Sequence, residues 1–298
     1  MFDAYGLTLF LLPIAAASGW FAAKRFKRPE EARTVNADYL KGLSYLVSEE
    51  SDKAIEVFTR LMEVDNETVE TQLALGKLFR RQGEVDRALR IHQNLVARPN
   101  LAPVHRNQAR FELARDYQSA GVLDRAENLY RDLVDQGMFL EMALDGLITI
   151  YEQEKDWQSA IDACHRLEAA KSRNLGKVIA QYHCELAEQH LRQKQYKVAL
   201  KHLKSARSED RRCARANILL GQLEIEHGNS RAALRHYQRV LKQNLDYAGE
   251  VLKPMEGCYS ELNNLDAWRS QLEEIATIYH GAAPRLALAG LLIRENRQ

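Results

Sequence analysis

The side chains from which metal or nucleophilic chemistry could be built in this 298-residue sequence are four cysteines and nine histidines. Cys164, Cys184, Cys213 and Cys258 are widely spaced, and no two form a C-x-x-C pair. A zinc knuckle needs ligands near enough for one turn to present two thiolates, and a disulfide framework belongs to shorter, cysteine-dense secreted chains. The spacing predicts four separate reduced thiols in a reducing compartment. His183-Cys184-Glu185 has the form of half a zinc deaminase signature, but no P-C-x-x-C follows it. Glu224 and His227 have the i, i+3 spacing of a di-iron helix, and that site needs a second copy. His92 and Cys164, and His183 and His190, fall where neighbouring segments carry core side chains, which predicts packed imidazoles and thiols. The phosphate-cradling G-x-x-x-x-G-K-S/T and G-x-G-x-x-G, the nucleophile elbow G-x-S-x-G and the zincin H-E-x-x-H are missing. The expectation is a protein that is not an enzyme, with no catalytic residue, no metal site and no cofactor.

The elements that would position any site are helices. Gly 15 and Pro 6 are few for this length, and no Pro lies between Pro103 and Pro254. That stretch is rich in Ala, Leu, Glu, Gln, Arg and Lys, which favours helix over strand and turn. The formal net charge is +1, which gives no global pull toward nucleic acid, so any electrostatic site must come from local arrangement.

The helices repeat. LGKLFRRQGEVDRALRIHQNL at 75–95 returns as LARDYQSAGVLDRAENLYRDL at 113–133 and LGQLEIEHGNSRAALRHYQRV at 220–240. Units begin near 35, 69, 107, 141, 180, 214, 249 and 283, with short insertions before the third and fifth. This is the tetratricopeptide period of about 34 residues. Small residues recur at position 8 (Gly42, Gly76, Ala114, Ala187, Gly221, Gly290) and position 20 (Ala54, Ala88, Ala126, Ala160, Ala199, Ala233), where two helices must approach closely. Gly83, Gly121 and Gly228 mark turns that need positive φ. The unit from 249 has Glu256 at position 8 and Trp268 at position 20, so it is expected to pack more loosely or at an altered angle. The eighth unit shows only a first helix, expected over Leu286 to Ile293. The fold class is all-α, a tetratricopeptide repeat superhelix over 35–298.

A tetratricopeptide stack turns positions 2, 5, 9, 12 and 13 of its first helices into a concave groove. Those positions hold Lys77, Arg80 and Arg81, then Phe111, Arg115 and Gln118, then Asp145 and Glu152. The change of sign suits an extended or helical protein segment with acidic and basic parts better than a uniform polyanion or a small-molecule substrate.

Residues 4–23 carry no charge, and about 20 apolar residues match the hydrocarbon thickness of a bilayer. Lys24, Arg25, Lys27 and Arg28 follow the run, whereas a secretory signal carries its positive charge ahead of it. The positive-inside rule places residue 24 onward in the cytoplasm. The expected organisation is a transmembrane helix at 1–23, a basic linker at 24–34 and the repeats.

FLLPIAAASGW at 10–20, LGKLFRRQGEVDRALRIHQ at 75–93, ARDYQSAGVLDRAE at 114–127 and YHCELAEQH at 182–190 give the sequence a close resemblance to the lipopolysaccharide assembly protein B family. That resemblance runs from residue 1 to the end and implies a bacterial inner-membrane adaptor. Such an adaptor lowers lipopolysaccharide synthesis by presenting the lipid A pathway deacetylase LpxC to the membrane protease FtsH, under control of another inner-membrane protein. Members of the family also end in a rubredoxin-like zinc module with two cysteine pairs. None of the four cysteines here matches that pattern, so no zinc and incomplete adaptor activity are expected. Two other readings compete from the sequence. One is a periplasmic membrane-tethered repeat factor assisting envelope protein folding. The other is a membrane-tethered hydrolase, which would need convergent titratable groups that the repeat register leaves almost no residues to build.

Deletion of residues 1–23 should release a soluble, still helical protein into the high-salt wash of a membrane fraction. Retention of that fragment on washed membranes would show that the apolar run is not the main anchor.

Overall fold

The structure, a computed structural model, describes residues 40–42, 44, 45, 48, 50–64, 69–171 and 173–295. The uncharged run at 4–23, the basic flank Lys24, Arg25, Lys27 and Arg28, and the linker at 24–34 lie outside the described residues. No helix among the described residues is long and apolar enough to cross a membrane.

The described residues form helices and turns and no strand. After short helical stretches at 40–42 and 44–45 come α1 (Ser51–Val64), α2 (Val69–Arg81), α3 (Val85–Ala97) and α4 (Pro103–Ser119). Then follow α5 (Leu123–Asp135), α6 (Leu140–Glu154), α7 (Trp157–Ala170), α8 (Gly176–Arg192), α9 (Tyr196–Glu209), α10 (Ala214–Glu226) and α11 (Ser230–Gln243). A 3-10 turn at Leu245–Tyr247 leads to α12 (Ala248–Glu261), α13 (Leu265–Ile278) and α14 (Ala282–Glu295). The chain divides into two compact units, Met1–Ala120 with α1 to α4 and Gly121–Gln298 with α5 to α14.

Each even-numbered helix begins at or just before the start of a repeat unit. The two insertions are not loops. They lengthen α4 and α8 at their N-termini, so that Pro103 occupies the first turn of α4, where its missing N–H costs nothing, and α8 opens at Gly176. Gly176 is required there because a Cβ would lie 2.9 Å from the Glu209 carbonyl oxygen.

Packing follows the small-residue pattern. Ala54, Ala88, Ala126, Ala160, Ala199 and Ala233 are all fully buried. In the first unit Phe58, Leu75, Leu78 and Phe79 close around Ala54 and Ala88. In the second, one core gathers Ala180, Cys184, Leu203, Leu219 and Leu223, and another runs from Ile218 through Tyr237, Val251 and Met255 to Leu291. The expected loosening at Trp268 is not seen at that side chain. Its indole is fully buried and stacks on Tyr259, with ring centroids 5.4 Å apart. Glu256 turns outward to pair with Arg294 of α14, and at its neighbour Gly257 a Cβ would meet open space. The last helix is longer than the expected Leu286 to Ile293, and it buries Leu291 while leaving Leu286 and Ile293 exposed.

The cysteines depart from the expectation of four thiols held apart. Cys164 and Cys258 sit in separate cores, but Cys184 and Cys213 meet, with sulfurs 3.8 Å apart. Cys213 is not within a helix body, since it is the N-cap residue just before α10.

Position 15, the turn between paired helices, is left-handed in the units beginning at 69, 107, 141, 180, 214 and 249. Gly83, Gly121 and Gly228 have φ of 82°, 74° and 75°, as expected of glycine, but Lys155, Lys194 and Asn263 adopt φ of 57°, 57° and 52°. An L side chain in that region crowds its own carbonyl. Lys194→Gly should therefore stabilise the chain by about 0.5–1 kcal/mol, read as a higher urea midpoint. An unchanged or lower midpoint would show that the turn carries no strain.

Candidate partner-binding grooves

In the first unit, α2 and α4 place Lys77, Arg80 and Arg115 around two acids. Arg80 donates to Glu112 and Asp116, each at 2.6 Å, and its side chain is only 8% exposed. Lys77 Nζ lies 3.0 Å from Glu112, and Arg115 lies 3.8 Å from it. Asp116 in turn accepts from His92 Nδ1 at 2.5 Å, and both of those side chains are fully buried. Three of the four cations read as groove-facing therefore have carboxylate partners within their own unit. Arg81 is solvent-exposed. Phe111 is buried, with the Arg115 guanidinium 6.0 Å from its ring centre, and Gln118 is half-buried. Burial alone would push the Glu112 carboxyl up, but the hydrogen bonds and charges of Arg80 and Lys77 outweigh it and hold it below the usual glutamate range. Burial likewise opposes the charge on Arg80, and Glu112 and Asp116 overcome it.

In the second unit the same register positions line a concavity of about 600 Å³. Gln181, Glu188, Leu191 and Arg192 come from α8, Arg215, Ile218, Gln222 and Glu226 from α10, and Glu250 from α12. Arg215 donates to Glu185 at 2.8 Å and to Glu188 at 2.6 Å, so the rim is bridged across adjacent repeats. A second cavity of about 640 Å³ shares Gln181 and Tyr247 with the first and extends toward Glu152, Tyr182 and Cys213. Asp145 and Glu152, the acids expected in the groove, both have partners. Arg173 lies 3.3 Å from Asp145, and the Tyr182 hydroxyl donates to Glu152 at 2.5 Å. The groove residues of α8, α10 and α12 lie beyond the fourth unit, where the expected groove ended, and they stand at positions 2, 5, 9, 12 and 13 of their own units.

The histidines do not assemble a catalytic set. His183 and His202 approach through their Nδ1 atoms at 3.3 Å, and His190 stacks on His202. Burial, with the neighbouring imidazoles, takes His183 down to about 4, so it is neutral at pH 7. His165 is exposed beside Glu168. No group of three or more His, Cys, Asp or Glu placed to hold a metal ion occurs among the described residues.

The Arg80 network makes two measurable differences. Arg80→Met leaves two buried carboxylates without their main partner and should cost about 3–5 kcal/mol, whereas Arg81→Met should stay within about 0.5 kcal/mol. Amide hydrogen exchange across α2 and α4 reads the loss locally, and equal protection in the two variants would refute the network's role. Because the folded Glu112 pKa is depressed, its contribution is full above the unfolded value of about 4.3 and is lost as pH falls through the lower folded value. Protection in α4 should drop on acidification over that range, and Glu112→Gln should flatten the dependence.

Comparison with known proteins agrees with this architecture. Tetratricopeptide repeat family models match residues 39–102 and 190–252. The C-terminal part of a repeat-containing protein from Cytophaga hutchinsonii superposes with a TM-score of 0.54 at 12% identity, covering 84% of this chain and 99% of that one, which speaks for the fold alone. Lipopolysaccharide assembly protein B of Haemophilus influenzae is 38% identical over 297 residues, covering 96% of this chain and 75% of the relative. The Escherichia coli K12 protein of that name is 36% identical over 289 residues, covering 96% of this chain and 74% of the relative. An identity of that size, sustained along nearly the whole sequence and laid on the same repeats, means that the chain belongs to the lipopolysaccharide assembly protein B family.

Proposed function

We propose that this chain acts in lipopolysaccharide assembly as a membrane-anchored, cytoplasm-facing adaptor that binds proteins and catalyses nothing itself. In this reading it presents the lipid A pathway deacetylase LpxC to the membrane protease FtsH and answers to another inner-membrane protein. The observation that carries the role is the identity to proteins named for lipopolysaccharide assembly along 96% of the chain. The binding mode is supported by the grooves. In the second unit an apolar floor of Leu191, Ile218, Leu219 and Leu223 is rimmed by Glu188, Glu226 and Glu250, which suits a partner segment with apolar anchors flanked by basic side chains. The anchor is supported by the uncharged run at 4–23 and the four cations that follow it.

Two experiments separate the parts of this reading. In a chain whose four native cysteines are replaced by serine, a cysteine placed at Glu30 reports topology without interference. A membrane-impermeant maleimide should label it only after the inner membrane is opened, and labelling in intact spheroplasts would put the repeats outside the cytoplasm. Reversal of two exposed acids, Glu226→Lys with Glu250→Lys, should lower the amount of deacetylase and protease that co-purifies from membranes by about tenfold, at unchanged helicity. Undiminished capture at low salt would remove the second-unit groove from the binding surface.

A further inference from the structure

Cys184 lies in the middle of α8 and Cys213 caps the N-terminus of α10, two first helices of adjacent repeats, and their sulfurs are 3.8 Å apart with 0% and 2% of the residues exposed. We propose that this pair is a peroxide-reactive dithiol in which Cys213 is the attacking thiolate and Cys184 the resolving thiol, closing to a disulfide that ties α8 to α10.

The geometry comes first. Sulfurs at 3.8 Å are already in van der Waals contact, and a disulfide needs about 2.05 Å, so closure brings the two sulfurs together by under roughly 2 Å. Next, the two thiols have different surroundings. Cys213 is the N-cap residue of α10, at the positive end of that helix, and Gln181 Nε2 approaches its sulfur at 3.6 Å. The hydrogen bond shared with Cys184 is the largest influence on Cys213, burial opposes it and the nearby Ala216 N–H adds to it, with the net result that the Cys213 thiol is drawn below the ordinary cysteine range. Cys184, which shares that bond and is fully buried, is pushed far up. One sulfur is thus held as a nucleophile and the other as its protonated neighbour, the division of labour that a sulfenic acid and a resolving thiol need. Access is provided by the second cavity, of about 640 Å³, whose wall includes Cys213 beside Asp210, Arg212 and Tyr182. The other two cysteines mark the contrast. Burial with nearby Glu152 and Glu168 pushes Cys164 up to about 12, and burial pushes Cys258 up as well.

The oxidant is a hydroperoxide, hydrogen peroxide in the simplest case. The Cys213 thiolate attacks one peroxide oxygen and the O–O bond breaks. The departing hydroxide takes up the proton that Cys213 had released and leaves as water, with Cys213 now a sulfenic acid. Cys184 sulfur then attacks that sulfur, the S–O bond breaks, and the hydroxyl leaves with the Cys184 proton as a second water. Two thiols and one peroxide become one disulfide and two waters. The cross-link joins α8 to α10, so it fixes the spacing of the two helices that supply most of the second-unit groove. That last consequence rests on the proposed groove, whereas the oxidation itself does not.

The test uses the full purified chain, reduced and then exposed without denaturant to one equivalent of hydrogen peroxide. The expected product has lost two hydrogens in intact mass, yields a Cys184–Cys213 linked peptide on digestion, melts at a higher temperature and regains its mass with dithiothreitol. In Cys184→Ser a dimedone probe should label Cys213, and in Cys213→Ser it should leave Cys184 unlabelled. Iodoacetamide alkylation of Cys213 should titrate below the ordinary cysteine range, and in Cys184→Ala its midpoint should move up because the shared hydrogen bond is gone. A linked peptide that forms only in denaturant, or dimedone labelling spread equally over all four cysteines, would overturn the proposal. If oxidised protein kept undiminished partner capture, only the groove consequence would fall, and the mass and peptide results would still decide the dithiol.

Discussion

Much of this fold depends on how closely two helix backbones can approach where one of them carries glycine. A Cβ on Gly76 would stand 2.5 Å from the His92 imidazole, one on Gly221 would stand 2.5 Å from Tyr237, and one on Gly146 would stand 2.6 Å from Tyr130. In each case the ring at position 24 of a unit is pressed against a backbone that has no side chain to move aside. The second helix is thereby seated at a fixed depth, the alanines at position 20 are closed off, and the first helix is left to face the groove. At Gly76 the ring is an imidazole, and a buried imidazole needs a partner. His92 donates Nδ1–H to Asp116, Asp116 takes Arg80, and Arg80 draws in Glu112, which also holds Lys77. A packing requirement at one glycine is thus the first link in a polar chain that reaches the groove. His92 Nε2, turned against Gly76, has no hydrogen-bond partner in the protein, which is the residual cost of placing an imidazole there.

The two compact units consequently rest on different physics. The second is held largely by apolar layers, in which Trp268, Tyr237, Leu144, Ile179 and Leu203 are fully buried. The first adds a buried ionic cluster to its smaller apolar core, and such clusters contribute little over a hydrophobic equivalent while being severely sensitive to loss of one member. What the cluster does provide is register. Its donors and acceptors lie on α2, α3 and α4, and only one alignment of the three helices satisfies them all.

The repeat register was legible because it is written in residue size, which a helix cannot disguise: small at positions 8 and 20, a ring at 24, glycine at 15. The sequence also placed Arg80 on the correct face. It did not show Arg80 buried, since facing direction comes from one helix, and burial depends on what the next repeat presents. A signal was available. Asp116 occupies position 10, where Leu78, Ile150, Leu223 and Cys258 are buried, and a carboxylate there has to be neutralised from a neighbouring helix. The meeting of Cys184 and Cys213 was hidden for a related reason. Cys213 precedes its helix by one residue, so repeat numbering puts it in a connection, while the N-terminus of α10 folds it back onto α8. The left-handed lysines at 155 and 194 follow the shape of the turn against their own preference, which composition alone would assign to glycine.

The groove is built from side chains that also fasten one repeat to the next. Arg80 reaches Glu112, Arg173 reaches Asp145, Tyr182 reaches Glu152, and Arg215 reaches Glu185 and Glu188, each across about one repeat length. A partner that engaged these groups would have to replace a bond already made, so their net contribution to binding is small even where their charge is correct. Recognition therefore falls to groove residues that stand clear of the staples, such as Arg81 in the first unit and Gln222 and Glu250 in the second, together with the apolar surface between them in the second unit's concavity. The staples set the curvature and spacing within each unit, and the few solvent-facing residues set what fits. This division lets a repeat protein change partners by surface substitution without disturbing the contacts that keep its helices stacked.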